Sequence, residues 1–171
     1  MIDMNWGRIL LDGIAMSAVF NFGVAAFWMY EPKSFTTMYP KQVQKIAPPI
    51  DKRSRKIVLT MFAALYPTIL LYGVISAWNA GMNGFWNLFW ASYIQMVLIN
   101  LGDFFGLDWF LREKMGTRLQ LPGTEGSELY SRKNWMLKLA IPEHFLAWPL
   151  LICPAVAALS AGLGLLIRQM S

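Results

Sequence analysis

The chain has 171 residues, of which 56% are hydrophobic and only 15% are charged, and its formal net charge is +5. A composition with so many apolar residues is typical of membrane proteins rather than of soluble globular domains. The chain also lacks the G-x-x-x-x-G-K-[ST], G-x-G-x-x-G and G-x-S-x-G motifs, which removes the usual sequence support for nucleotide binding and serine hydrolysis.

Four apolar runs are each about 20 residues long, the length that a helix needs to cross a bilayer. They predict transmembrane helices at residues 9–29, 57–78, 85–105 and 145–167. The runs are continuously apolar, whereas the strands of a membrane barrel alternate apolar and polar residues. The predicted fold is therefore all-α, a four-transmembrane-helix bundle forming one membrane domain over residues 1–171, and the first span is expected to be retained rather than cleaved as a signal peptide.

The basic residues are concentrated in two long loops. Of the 15 lysines and arginines, all but Arg8 and Arg168 lie between residues 30 and 56 or between residues 107 and 138. The positive-inside rule therefore predicts an inner (plasma) membrane protein with these loops in the cytoplasm and both termini outside. The same charges suit anionic headgroups, so the expected partner is membrane lipid and not nucleic acid.

Small residues mark packing faces on two of the predicted helices. In the first span they recur every four residues, at Gly13, Ser17, Asn21 and Ala25. In the fourth span they form the pairs Ala157 with Ala161 and Ala158 with Gly162. Such spacing lets a neighbouring backbone approach closely, and we expect a homo-oligomer through these two faces. At the outer boundary, Arg8 and Asp12 are spaced as an i,i+4 ion pair.

The two cytoplasmic loops are each predicted to contain a short interfacial helix. Pro40 and Pro48 bracket a segment, residues 41–47, that is long enough for two turns on the membrane surface. In the second loop, Pro122-Gly123 favours a type II turn, and Ser127 is placed to cap a short helix running through Tyr130 and Trp135. We expect Trp135 and Lys138 to anchor this helix at the membrane interface. The fourth helix is then expected to begin at Pro142.

The cytoplasmic end of the third helix carries the most informative polar residues. Ser92, Gln95, Asn100 and Asp103 fall within one arc of a regular helix, which predicts a polar inward face. Asp108 lies about 140° from Asp103 on such a helix. The two carboxylates are therefore expected to converge only if the helix ends or unwinds near Gly106.

These residues, with others on the same membrane face, form the candidate site. The predicted ligand-binding residues are Gln95, Asn100, Asp103, Asp108, Glu125, Tyr130, Glu143 and His144. Oxygen ligands with one imidazole also suit a divalent metal, for which the candidates are Asp103, Asp108, Glu125 and His144. The alternative is purely structural: Asp108 would pair with Arg112, Glu143 would cap its helix and Glu125 would order a turn.

Several segments together resemble a family of small bacterial four-span membrane proteins. They are Tyr39-Pro40-Lys41 with Ala47-Pro48-Pro49, Asn100-Leu101-x-Asp103 continuing into Leu107-Asp108-Trp109, and Pro122-Gly123-Thr124-Glu125-Gly126 followed by Tyr130. The resemblance covers most of the chain but implies no activity. It implies that the end of the third helix and the Pro-Gly-Thr-Glu turn form the functional region.

Three functional hypotheses follow, and the sequence identifies no cofactor or catalytic residue. The first is binding or transport of a small polar or amphipathic solute, or of protons, at the face lined by Gln95, Asn100 and Asp103. The second is a metal-dependent membrane enzyme acting on a lipid or isoprenoid, with His144 in acid or base chemistry. The third is an accessory subunit that packs against a larger membrane partner.

Overall fold

The computed structural model describes residues 5–170, and this part of the chain is all-α and contains no strand. Its helices are α1 (Trp6–Tyr30), α2 (Lys41–Ile46), α3 (Lys52–Asn79), α4 (Phe85–Leu119) and α5 (Arg132–Met170). Short 3₁₀ segments at Pro32–Met38 and Glu128–Tyr130 lie in the two loops. We call the end of the bundle that carries these two loops the basic end.

Four of the helices, α1, α3, α4 and α5, are long and apolar enough to cross a membrane, and each contains one predicted span. Large apolar side chains such as Phe22, Leu150 and Leu151 point outward and are two-thirds exposed or more. An apolar outer surface is stable in lipid but not in water. The architecture is thus compatible with a multi-pass integral membrane protein, and its orientation stays a prediction.

The packing face predicted on α1 is confirmed, and its partner is α4. Ser17 donates a hydrogen bond to the carbonyl of Leu98 at 3.0 Å, and the Asn21 amide donates to that of Ile99 at 3.1 Å. Facing them, Gly102 has no room for a side chain, because a Cβ there would collide with Ser17 and Asn21. Small and weakly polar residues therefore let the two helix backbones approach closely.

The predicted pair of Arg8 and Asp12 is also confirmed, with 2.6 Å between the Arg8 Nε and the Asp12 carboxylate. The same carboxylate accepts hydrogen bonds from the hydroxyls of Tyr72, at 2.9 Å, and Ser76. Asp12 is thereby buried with a permanent cation and two donors. It connects α1 to α3 at the end of the bundle opposite the basic end.

Two helix boundaries at the basic end differ from the prediction. The helix that contains the third span does not end near Gly106 but continues to Leu119, and α5 begins at Arg132 rather than at Pro142. The backbone widens before Pro142, where Ile141 donates to the carbonyl of Met136, five residues earlier. A widened turn gives the proline ring space that a regular α-helix would deny it. As a result, the candidate site lies on two long helices.

The loops contain the expected short elements. Helix α2 begins after Pro40, ends before Pro48 and buries Val43 completely. In the second loop Gly123 has φ of +80° and the N–H of Thr124 donates to the carbonyl of Leu121, as a type II turn requires. Ser127 caps a 3₁₀ turn, so the chain reaches α5 with only a brief interruption.

The small-residue pairs on α5 differ in their surroundings. Ala157 and Ala161 are fully buried within the chain, whereas Ala158 is exposed and Gly162 half-buried. Only the second pair is free to meet another molecule. Self-association through these faces stays a prediction, and on α5 it would have to use Ala158 and Gly162.

The close contact of α1 and α4 predicts opposite outcomes for two glycines of α4. Gly102→Ala should lower the free energy of unfolding by about 1–3 kcal/mol, because the new methyl displaces the hydrogen-bonded Ser17 and Asn21. Gly106→Ala meets nothing within 4 Å and should be neutral or stabilising by about 1 kcal/mol. Thermal unfolding of both variants in detergent measures the difference, and equal stabilities would contradict the contact.

Candidate functional site

The candidate site depends on two segments where the helix hydrogen bonds run from residue i to i+5. In α4 the π-helical segment is Asp103–Leu111, where Arg112 donates to the carbonyl of Leu107. In α5 it is Glu143–Ile152, after which Cys153 donates to that of Trp148. Residues five apart lie above one another in such a helix. Asp103 and Asp108 therefore share a face although α4 does not end at Gly106, because the wider π-helical turn through that residue supplies the local unwinding on which the predicted convergence depends.

His144 is buried between α4 and α5 with a hydrogen-bond partner on each ring nitrogen. Its Nδ1 lies 2.7 Å from the amide oxygen of Asn100, and its Nε2 lies 2.8 Å from the Asp108 carboxylate. The Asn100 amide nitrogen in turn donates to the backbone carbonyl of His144 at 2.9 Å. Asn100, Asp108 and His144 thus hold the two helices together.

These contacts determine where protons can be. A carbonyl only accepts, so the Asn100 amide must direct its nitrogen to the His144 carbonyl and its oxygen to Nδ1. Nδ1 therefore carries a hydrogen. The contact between Nε2 and the Asp108 carboxylate then requires a proton between them, on either group, or a cation in its place.

The other oxygen of Asp108 accepts a hydrogen bond from the indole N–H of Trp135 at 2.8 Å. The predicted structural pair of Asp108 with Arg112 is wrong. The Arg112 guanidinium instead lies over the Trp135 ring, 5.4 Å from its centroid, and donates to the carbonyl of Tyr130. The π-helical turn that aligns Asp108 with Asp103 removes it from the i,i+4 position facing Arg112.

Aromatic side chains enclose this group of polar residues. The Trp135 ring stacks on Trp28 and Tyr130 at centroid distances of 6.1 and 6.3 Å. Tyr39 accepts from the indole of Trp28 at 2.7 Å and donates to the carbonyl of Leu119. Burial raises the pKa of Tyr39, so it stays a neutral phenol that can make both bonds. The first loop thereby forms one wall of the site.

A cavity of about 70 Å³ adjoins the His144–Asp108 pair. A single water needs about 10–15 Å³ measured in this way, so the cavity has room for a few waters or for an ion with its water ligands. Its polar lining is Asp103, Asp108, Glu143 and His144, and its remaining wall is aromatic and aliphatic. Polar and apolar walls face each other across it.

Three side chains around this cavity have metal-ligand spacing. Asp103, Asp108 and His144 each offer one ligand atom, and these atoms lie within 4.8 Å of one another. The Asp103 carboxylate accepts no hydrogen bond from any described residue, which leaves it available. The Glu143 carboxylate lines the same cavity and is 3.5 Å from the indole nitrogen of Trp148, five residues later.

The other predicted site residues lie elsewhere. Glu125 is exposed in its turn, and hydrogen bonds from the backbone N–H groups of Glu125 and Gly123 lower its pKa, so it is not part of the metal-ligand group. Tyr130 accepts from the N–H of Leu121 and contacts Thr124, which is a structural role. Gln95 is fully buried, but neither of its amide atoms has a partner among residues 5–170, and it does not line the cavity.

Trp135, Trp28 and Tyr39 were not predicted as part of the site. Trp135 was interpreted only as an anchor at the membrane interface, because tryptophan is common there. Tryptophan itself carries one signal for such a role, because a buried tryptophan needs a hydrogen-bond partner for its indole N–H. The sequence could not say which tryptophans are buried.

Comparisons with protein-family models, with curated proteins and with solved structures gave no match. The family resemblance noted from sequence motifs therefore stays a prediction. The four apolar helices are compatible with one part of that prediction, namely that the chain is a membrane protein.

The bond from Trp135 to Asp108 predicts a specific loss of stability. Trp135→Phe should destabilise the protein by about 1–3 kcal/mol more than Trp148→Phe, because it leaves a buried carboxylate oxygen without a donor. Trp148 is equally buried, but its indole makes only the long contact to Glu143, so the control loses similar ring area. Chemical denaturation in detergent measures both variants, and equal losses would contradict a role for the indole N–H.

Proposed function

We propose that this protein binds a divalent first-row transition-metal ion between α4 and α5, with Asp103, Asp108 and His144 as ligands. The observation that carries the proposal is the convergence of their three ligand atoms within 4.8 Å beside a cavity. A bound cation would stabilise a cluster of this kind, because charged carboxylates within an apolar bundle are unfavourable.

The local charge supports a bound cation. Asp103, Asp108 and Glu143 line one small cavity, and in residues 5–170 none of them has a Lys or Arg within ion-pair distance. The nearest charge partner is His144, which is neutral unless protonated. A divalent ion would balance two of the carboxylates at once.

The hydrogen bonds around the ligands are those of a supported metal site. A ligating histidine usually donates its second ring N–H to a carbonyl or carboxylate, and here Nδ1 donates to Asn100 while Nε2 faces the cavity. The Trp135 indole orients Asp108 in the same way. Tetrahedral metal bonds of about 2.0–2.2 Å separate neighbouring ligand atoms by roughly 3.3–3.6 Å, so the present 2.8 Å contact has to open by less than about 1 Å.

The ligand types favour Zn²⁺, Mn²⁺ or Fe²⁺. An imidazole with two carboxylates is a mixed nitrogen and oxygen set, which suits these ions better than Ca²⁺. Thiolate ligands would be needed for Cu⁺, and the only cysteine, Cys153, is not part of the cluster.

Metal binding is tested by Asp103→Asn. The Asp103 carboxylate accepts no hydrogen bond from a described residue, so the substitution removes a charged ligand without breaking a side-chain hydrogen bond. We expect a fall in Zn²⁺ and Mn²⁺ affinity of about tenfold or more, measured by calorimetry on metal-stripped protein and by elemental analysis of the purified protein. The free energy of unfolding of the stripped variant should stay near that of the wild type.

Glu125→Gln is the matched control, since it removes one carboxylate from the same end of the bundle but outside the cluster. Its metal affinity should stay within about twofold of the wild type, well below the tenfold effect expected at a ligand. The proposal would be abandoned if the wild type bound none of these metals, or if both variants lost affinity equally.

A second candidate function is a metal-dependent membrane enzyme with a lipid or isoprenoid substrate. The observation that favours it is that Glu143 lines the cavity opposite an aromatic and aliphatic wall and is not one of the clustered ligands. A bound metal would supply Lewis-acid activation of an ester or phosphoryl oxygen. The Glu143 carboxylate would accept a proton from the attacking water, and the substrate's hydrocarbon part would lie outside this small cavity.

The enzyme hypothesis is tested with Glu143→Gln. The variant should keep its Mn²⁺ and Zn²⁺ affinity within about twofold, yet consume substrate at least about 100-fold more slowly in a total bacterial lipid extract followed by mass spectrometry. No metal-dependent change in the extract with wild-type protein, or equal rates for the two proteins, would rule out this activity.

The remaining hypotheses have less support. Solute transport along Gln95, Asn100 and Asp103 needs an open polar path, but the Asn100 amide is bonded to His144 and Gln95 does not line the cavity. An accessory role stays a prediction, for which the exposed apolar faces of the helices supply surface but no specificity.

A further inference from the structure

A basic groove lies along one face of α3 at the basic end of the bundle, away from the metal-ligand cluster. Its volume is about 410 Å³, and it is lined by Lys52, Arg55, Lys56, Leu59, Thr60 and Ala63. The spacing of three or four residues places all six side chains on the same side of the helix. Three cations are therefore followed, one turn further along, by an apolar surface.

The three cations have no acidic partner. No Asp or Glu in the described part of the chain lies within ion-pair distance of Lys52, Arg55 or Lys56. The adjacent Arg53 behaves differently, because it donates a hydrogen bond to the hydroxyl of Tyr30 on α1. Asp51 caps the helix by accepting from the N–H of Ser54. Like charges three and four residues apart repel, so an external anion would stabilise this face.

The apolar part of the groove indicates what kind of anion would bind there. Leu59 is more than half exposed and points outward just beyond the charges, within a helix apolar enough to span a membrane. The hydroxyl of Thr60 has no hydrogen-bond partner among residues 5–170, whereas that of Thr68 donates to the carbonyl of Ala64. A free hydroxyl between cations and an apolar surface matches the ester region of a phospholipid, which lies between phosphate and acyl chains.

We propose that this groove binds one anionic phospholipid, with the headgroup phosphate on Lys52, Arg55 and Lys56 and an acyl chain along Leu59 and Ala63. Arginine binds phosphate oxygens through paired N–H groups, and lysine contributes a point charge. The groove is shallow and open along one helix, so the headgroup can reach all three cations from the outer surface of the bundle. The proposal is independent of the metal site.

The test compares lipid retention by purified protein, using native mass spectrometry with phosphatidylglycerol and phosphatidylcholine. The wild type should retain one phosphatidylglycerol in at least about tenfold preference over phosphatidylcholine. Replacing Lys52, Arg55 and Lys56 together by Gln should weaken phosphatidylglycerol retention at least about tenfold, because each basic residue near the surface contributes about fivefold. Circular dichroism checks that the variant is folded.

The matched control replaces three exposed basic residues elsewhere at the same end, Lys114, Arg118 and Lys133, by Gln. It changes the net charge equally and should keep phosphatidylglycerol retention within about twofold of the wild type, well under the effect of one contacting residue. Equal losses in the two triple variants would overturn the site in favour of general charge attraction.

A further variant separates lipid from free phosphate. Leu59→Gln leaves every charge in place and should weaken phosphatidylglycerol retention, while excess inorganic phosphate should not displace the lipid from the wild type. If inorganic phosphate displaced it, or if Leu59→Gln had no effect, the groove would be an anion site rather than a lipid site and the proposal would fail.

Discussion

The hydrogen bond between His144 and Asp108 is the constraint around which the basic end of the bundle is organised. It joins a carboxylate on α4 to an imidazole on α5 within surroundings that are otherwise mostly apolar, and both groups are buried. Breaking such a pair by removing one partner typically costs about 3–5 kcal/mol, since the remaining group is left buried without compensation. Asn100 and Trp135 use the remaining hydrogen-bonding positions, so the pair has one fixed arrangement.

This arrangement depends on the backbone as much as on the side chains. In a regular α-helix Asp103 and Asp108 would point in different directions, and no rotation of their side chains would bring both to His144. The i→i+5 hydrogen bonds of Asp103–Leu111 and Glu143–Ile152 realign the two helices against each other. Such segments are rare and often lie at functional sites, because the wider turn is less stable than an α-helical one. Here the contacts of His144 offset the lower stability of the wider turns.

The sequence predicted the parts of the molecule that depend on composition and regular periodicity. Four spans follow from the length of apolar runs, and a packing face with Gly13, Ser17 and Asn21 follows from their four-residue spacing, although its partner α4 did not. The convergence of Asp103 and Asp108 did not follow, because the angle between them was calculated for 3.6 residues per turn.

Other residues of the site were inaccessible to sequence reasoning for a different reason. Glu125 was grouped with the ligands because it lies on the same membrane face, but the direction of a loop is not encoded in its position along the chain. The burial of Trp135 and Trp28 arises from the way the first loop folds over α4 and α5, which is a tertiary contact. The predicted group of Asn100, Asp103, Asp108 and His144 is nevertheless the one that lies together.

The two ends of the bundle each bury an aspartate of a membrane-spanning helix, and the difference between them indicates where function resides. Asp12 is paired with Arg8, a guanidinium that stays charged at any ordinary pH and cannot be exchanged, and its other bonds come from hydroxyls. The ion pair at that end of the bundle is therefore permanent. Asp108 is paired with His144, which can give up its proton or bind a metal through the same nitrogen. Because Asn100 fixes the hydrogen on Nδ1, any exchange must occur at Nε2, which contacts Asp108 in the lining of the cavity that Asp103 and Glu143 also line. A binding site requires a position where a cation can be exchanged, and here two further carboxylates lie beside that position. A purely structural pair needs neither.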